Sequence, residues 1–242
     1  ANAETVLMNA QQEREFREKT TDIVPENVLF DWNRARVEEL EFADLPSAYV
    51  SVLAMQKDSA ALEDILRAGR YEYELGEPND ELTESIGSAR SPLSPPLDDE
   101  QIERIQNHEL VFNINTQSFS SENAVDVNYE LLQTISALIK KGAIEVFIES
   151  SYIGHHNEAW VEFAKAAADE LKRSGQRTPE FYRAMFDAFV QLPIRVEDEF
   201  ITCGMHHLGK ADIRFDADLL ESLFEVDEEN GELEVKCREL MA

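Results

Sequence analysis

Leu110-Val111-Phe112-Asn113-Ile114-Asn115, the run from Asp126 to Lys141, and Ala143-Ile144-Glu145-Val146-Phe147-Ile148-Glu149 read as strand, helix and strand. In the first segment the apolar residues 110, 112 and 114 alternate, and the third alternates likewise, at the period of a β-strand. Between them Val127, Leu131, Ile135, Leu138 and Ile139 fall on one stripe at helical spacing, and Lys140-Lys141-Gly142 supplies a cationic end with a glycine stop.

Working outward, Asp99 to His108 predicts a short helix leading into the first of these strands. Upstream, Ala48 to Met55 predicts a strand. Ser59 to Ala68 follows as a helix with Asp58 or Ser59 as N-cap and Gly69 past its end, and Arg70 to Leu75 as a further strand, giving a small βαβ unit. Thr5 to Lys19 and Asn27 to Leu40 read as helices. Downstream, Asn157 to Lys172 predicts a helix with Trp160, Phe163, Ala164, Ala167 and Leu171 inward, and Pro179 to Gln191 another, its proline near the first turn. A long strand from Ile194 to Met205, a helix from Asp216 to Val226 and a strand around Leu233 to Cys237 complete the reading.

Turn and breaker residues concentrate from Gly76 to Glu100, read as a boundary or long ordered loop between a 1–84 helical and βαβ region and an 85–242 α+β domain, with separate domains and a single globular unit both open. The fold class expected is α+β: a mixed or antiparallel sheet with amphipathic helices packed on it, its halves read as two related βαβ-type units. The 242 residues, 43% of them hydrophobic, suffice for a sizeable core.

Fifty acidic residues face twenty-two basic ones, a formal net charge of -28. Such a chain repels phosphate backbones and anionic lipid and attracts basic proteins by long-range steering, so neither nucleic acid nor membrane is an expected partner. Many of the acids alternate with apolar residues, as in Glu38-Glu39-Leu40-Glu41, and read first as solvated faces of folded elements. Apolar runs all fall short of the roughly 20 residues that cross a bilayer. Ala1 to Met8 carries neither the basic nor the apolar region of a secretory signal, and the two cysteines, Cys203 and Cys237, form no framework; the expected location is cytoplasmic, with a leader removed before Ala1 left open.

The segment Ile201-Thr202-Cys203-Gly204-Met205-His206-His207-Leu208-Gly209-Lys210-Ala211-Asp212-Ile213, with the elements from residue 85 onward, resembles an uncharacterised bacterial family, domain of unknown function 4261, whose members end in a T-x-G-M/L-x-x-L/F-G-x-x-E/D segment. The resemblance covers residues 85 to 240 and implies a bacterial α+β domain, with no assigned chemistry.

Four of the five histidines sit in two adjacent pairs, His155-His156 and His206-His207. With Glu158 or Asp212 they are weak metal candidates, because neighbours on a strand point to opposite faces and HExxH, HxH and CxxC spacings are absent. Packing and turn capping are the expected histidine roles, and no cofactor is expected. A P-loop and a Gly-x-Ser-x-Gly elbow are also absent, so nucleophilic catalysis has little support. Glu145 and Glu149 read as one wet strand face.

Tyr and Trp among acids are what a binder of a basic protein uses, and the partner-binding candidates are Trp32, Glu38, Glu39, Glu41, Tyr71, Tyr73, Glu74, Asp227, Glu228 and Glu229. The expected function is that of a non-enzymatic acidic binding protein, an immunity- or antitoxin-like inhibitor of a basic partner such as a toxin. The alternatives are a small metal-dependent hydrolase using the His155 and His206 regions, and an oligomeric structural or secretion-system accessory protein. The oligomeric state is open.

Overall fold

The computed structural model describes residues 36–37, 46–55, 59–78, 80–89, 97–196 and 199–216. In chain order the elements are β1 (Arg36–Val37), β2 (Tyr49–Ala54), α1 (Ala60–Gly69), β3 (Glu72–Gly76), α2 (Asp80–Ser88), α3 (Asp99–Gln106), β4 (Leu110–Asn115), α4 (Ala124–Ile139), β5 (Ala143–Ile148), β6 (Ile153–His156), α5 (Asn157–Ser174), α6 (Pro179–Phe189), β7 (Gln191–Val196), β8 (Glu199–Cys203), a 3-10 turn (Met205–Leu208) and β9 (Ile213–Asp216). The class is α+β.

Two compact units divide the chain. One holds the described residues of 42–191 and 206–209, the other the described residues of 1–41, 192–205 and 210–242. The boundary expected at residues 84 and 85 falls inside α2.

In the larger unit, strands run in the order β3-β4-β2-β5-β6 and every neighbouring pair is antiparallel. Because β2 and β3 both oppose β4, they are parallel to each other with β4 between them; β4 and β5 are related in the same way across β2. The two βαβ-type halves are therefore interleaved, as in a ferredoxin-like sheet, with β6 added at the edge.

Period-two alternation gives this sheet two distinct faces. Val50 and Val52 of β2, Phe112 and Ile114 of β4, and Val146 and Ile148 of β5 share one face through their register. That face belongs to the buried core with Leu62 and Leu66 of α1, Leu131, Leu132 and Ile135 of α4 and Trp160 of α5. Each fully buried Leu or Phe contributes about 1.5–3 kcal/mol. Two side chains tie α4 to α5: the Trp160 indole donates to Leu132 O at 3.1 Å and Gln133 to Ala164 O at 2.8 Å.

The opposite face is covered at one end. Leu53 and Phe147 meet Ile86 and Ala89, with Ile105 of α3, and Leu82 and Leu97 pack against them. A register shift beside Leu53 turns Ile144 into the same cluster. The α2 helix corrects the long-loop reading of residues 76–100: Leu82, Ile86 and Ala89 recur every three or four residues, an apolar stripe hidden among Glu, Ser, Thr and Gly. Its cover also corrects Glu145, which is fully buried instead of wet.

Local signals explain the ends of the helices. Asp98 accepts from Gln101 N–H at 2.8 Å while the Gln101 side chain accepts from Asp98 N–H at 3.0 Å, a capping box at α3. Thr178 caps α6 through Phe181 N–H, with Pro179 at the first position. Gly175 ends α5 in the left-handed region at φ +70°.

In the smaller unit, the order is β1-β9-β8-β7, and β9 is antiparallel to both β1 and β8. Arg36 and Val37 pair with Arg214 and Ile213, so these two residues are strand and not part of a helix over 27–40; ladder pairing outweighs local helical pattern there. The long strand over 194–205 is two strands followed by the 3-10 turn, with Gly204 at φ +108° marking the break. The helix over 5–19, the strand at 233–237 and all of the helix over 216–226 beyond Asp216, which lies in β9, fall outside the described residues.

Candidate functional site

The first histidine pair lies on β6, where alternation separates the two rings. His155, opposite Val146, points to the helix-covered face, donates from Nε2 to Ala188 O at 2.9 Å and packs against Trp160 and Phe163. His156, opposite Glu145, points to the other face, and its Nδ1 lies 3.2 Å from Glu145 Oε2 in a buried pair. Glu158 stands exposed in the first turn of α5, where its charge meets the positive end of the helix dipole.

The second pair lies on the 3-10 turn, where the two ring centroids are 4.1 Å apart. His206 is half-buried and stacks on Phe119. His207 is fully buried between Phe119 and Phe189, with ring centroids at 6.1 and 5.2 Å. Its Nδ1 lies 3.1 Å from Asn128 Oδ1, its Nε2 lies 2.8 Å from Ser150 Oγ, and its carbonyl oxygen accepts from the Asn128 amide at 3.1 Å. Burial first, and His206 second, holds the His207 imidazole well below its ordinary range.

Gly209 follows at φ +69°, and a Cβ there would sit 2.3 Å from Ser121 O, so the residue admits no side chain. The aspartate of the same motif is also engaged: Asp212 accepts from Thr202 Oγ1 and from Met205 N–H, each at 3.1 Å. Cys203 is half-buried, and burial, then Asp212, pushes its thiol up. Cys237 lies outside the described residues. Among the described residues, no three of His, Cys, Asp and Glu come together as a metal site, and no helix is long and apolar enough to cross a membrane.

Asn128 and Ser150 were not singled out from the sequence. Asn128 carried a readable signal, since it stands three, four and seven residues before Leu131, Leu132 and Ile135 on the buried stripe of α4. Ser150 carried none, for its partner is 57 residues away.

The far end of the sheet's second face is polar. Register sets Glu72 beside Asn115, with Tyr49 one strand further on, and Glu74 beside Asn113, with Ser51 one strand further on. Ser51 Oγ lies 2.9 Å from Asn113 Oδ1 and 3.1 Å from Glu149 Oε1. Glu72, Glu74, Glu149 and Tyr49 are exposed. Burial, then Glu149 and Glu74, pushes the Tyr49 hydroxyl up. No strand residue on this face is Lys or Arg.

Of the predicted contact residues, Glu74 belongs to this acidic end. Tyr73 turns to the helix side, its hydroxyl donating to Glu63 at 2.8 Å and its ring against Phe112. Tyr71 lines a cleft of about 210 Å³ with Arg70, Thr116 and Glu130. Trp32, Glu38, Glu39, Glu41, Asp227, Glu228 and Glu229 lie outside the described residues.

No family model, curated protein or solved structure matches the chain.

Proposed function

We propose that the protein binds a more basic protein and neutralises it, as an immunity protein or antitoxin does. The observation that supports this reading is the acidic end of the sheet: Glu72, Glu74 and Glu149 are exposed on the same face as the exposed Tyr49, and the strands of that face carry no Lys or Arg. A Lys or Arg side chain arriving there gains the ring face and carboxylates together, while the charge of -28 steers its approach. The protein would act by covering its partner's cationic groove. Membership of the uncharacterised bacterial family would agree with this role without specifying it.

The test compares wild type with a Glu72→Lys/Glu74→Lys variant in affinity capture from native cells, at low salt and at about 0.5 M, where screening reaches within a few ångströms. A basic protein held in stoichiometric amount by wild type, released by salt and lost by the variant supports the reading. Wild type recovered alone, or a partner that ignores the charge reversal, overturns it.

A further inference from the structure

The contacts that hold His207 also order it for chemistry. Asn128 directs its amide protons to two carbonyl oxygens, Ala124 at 2.9 Å and His207 at 3.1 Å, which leaves its own oxygen facing His207 Nδ1 as an acceptor. The network therefore assigns the imidazole proton to Nδ1 and a lone pair to Nε2, to which the Ser150 hydroxyl donates. We propose that Ser150, His207 and Asn128 act as nucleophile, general base and positioning residue in the hydrolysis of small acyl esters that are uncharged or cationic.

Ser150 is well placed for the role. It is half-buried at the C-terminal end of β5, in a tight turn closed by Tyr152 N–H on Glu149 O at 3.2 Å. Tyr152 takes φ +52° there, a conformation that bulky residues avoid and that collects at working sites. Glu149 and Tyr152 on either side are exposed, so the turn is at the surface while the base behind it is dry. Glu149 precedes Ser150 in the chain, and together with the net charge of -28 it disfavours anionic acyl groups.

In the reaction, the Ser150 Oγ–H proton passes to His207 Nε2 as Oγ bonds to the acyl carbon and the carbonyl electron pair moves to oxygen. Collapse re-forms the carbonyl, and the departing alkoxide takes the proton from Nε2. Water then attacks the acyl-serine, giving its proton to Nε2, and the acid leaves as that proton returns to Ser150. No cofactor or redox partner enters the balance. Because burial keeps the imidazole neutral but also makes it a weak base, turnover is slow.

The experiment treats the whole protein with a fluorophosphonate probe, maps the label by peptide mass spectrometry, and follows p-nitrophenyl acetate hydrolysis beside a Ser150→Ala variant. The expected result is label on Ser150 alone, with labelling and hydrolysis both absent from the variant. An imidazole at the ordinary 6.5 would be only about a tenth neutral at pH 5.5. With His207 as base, the labelling rate falls by less between pH 7.5 and pH 5.5 than the roughly tenfold of an ordinary imidazole. Folded wild type that takes no label, label on another serine, or a rate that falls about tenfold over that interval overturns the proposal.

Discussion

The two histidine pairs have the same sequence and opposite fates. On β6, strand geometry sends His155 into the helix-covered core and His156 to Glu145 on the other face, so both rings are buried and neither meets the other. On the 3-10 turn the rings lie side by side, and only His207 is fully buried. Backbone geometry therefore decides whether a His-His dipeptide works as two separate packing residues or as one anchored ring with a shielding neighbour.

The strongest challenge to this contrast comes from the glycine that lets the second pair dock. Gly209→Ala meets both the left-handed backbone and the Ser121 carbonyl, so a loss of about 3 kcal/mol or more is expected in urea unfolding. Gly175→Ala shares almost the same φ, with nothing within 4 Å of the new Cβ, and should lose only about 1 kcal/mol. Equal losses would mean that residues 206–209 are not closely packed.

Next in size are the histidines themselves. His207→Ala removes a buried ring and the partner of Asn128 Oδ1, for an expected loss of about 2–4 kcal/mol. His206→Ala, half-exposed, should lose less than about 1 kcal/mol. His155→Leu and His156→Leu should each lose about 1–3 kcal/mol, since each ring bonds on its own buried face. A pair on β6 that splits as unevenly as the pair on the turn would break the comparison.

The His207 ring also sets a pH dependence. The folded protein holds His207 below the 6.5 of a free imidazole, so the unfolded chain takes up the proton first as pH falls. The His207 contribution is thus complete above 6.5 and declines below it, by up to about 1.4 kcal/mol per pH unit. Glu170, lowered chiefly by the Thr178 hydroxyl and then by Arg173, acts in a separate window, its stability being lost only as pH falls below about 4.5. His207→Phe should flatten the curve between pH 6.5 and 5 and leave the acid limb in place; an unchanged slope in denaturant titrations would count against the buried neutral ring.

Much of the larger unit was readable locally. The alternation of Leu110–Asn115, the stripe of α4 and the inward Trp160 on α5 all express a single period, and the structure buries Leu131, Ile135, Leu138 and Trp160 while leaving Val127 and Ile139 half-buried. The α2 helix was less readable, because its few apolar residues are diluted by Ser, Thr, Gly and Glu and form a stripe only against Leu53 and Phe147. The wet reading of Glu145 failed for the same reason, as alternation tells which residues share a face and not what lies over it.

From the chain alone came the class, the strand and helix periods, the net charge, and the opposite facing of His155 and His156, all of which depend on residues near one another or on simple sums. Tertiary structure alone decided the interleaved order β3-β4-β2-β5-β6, the burial of Glu145 and the meeting of Asn128, Ser150 and His207. Hydrogen bonds and packing across 57 and 79 residues depend on how the chain returns to itself, and a local pattern holds no record of that return.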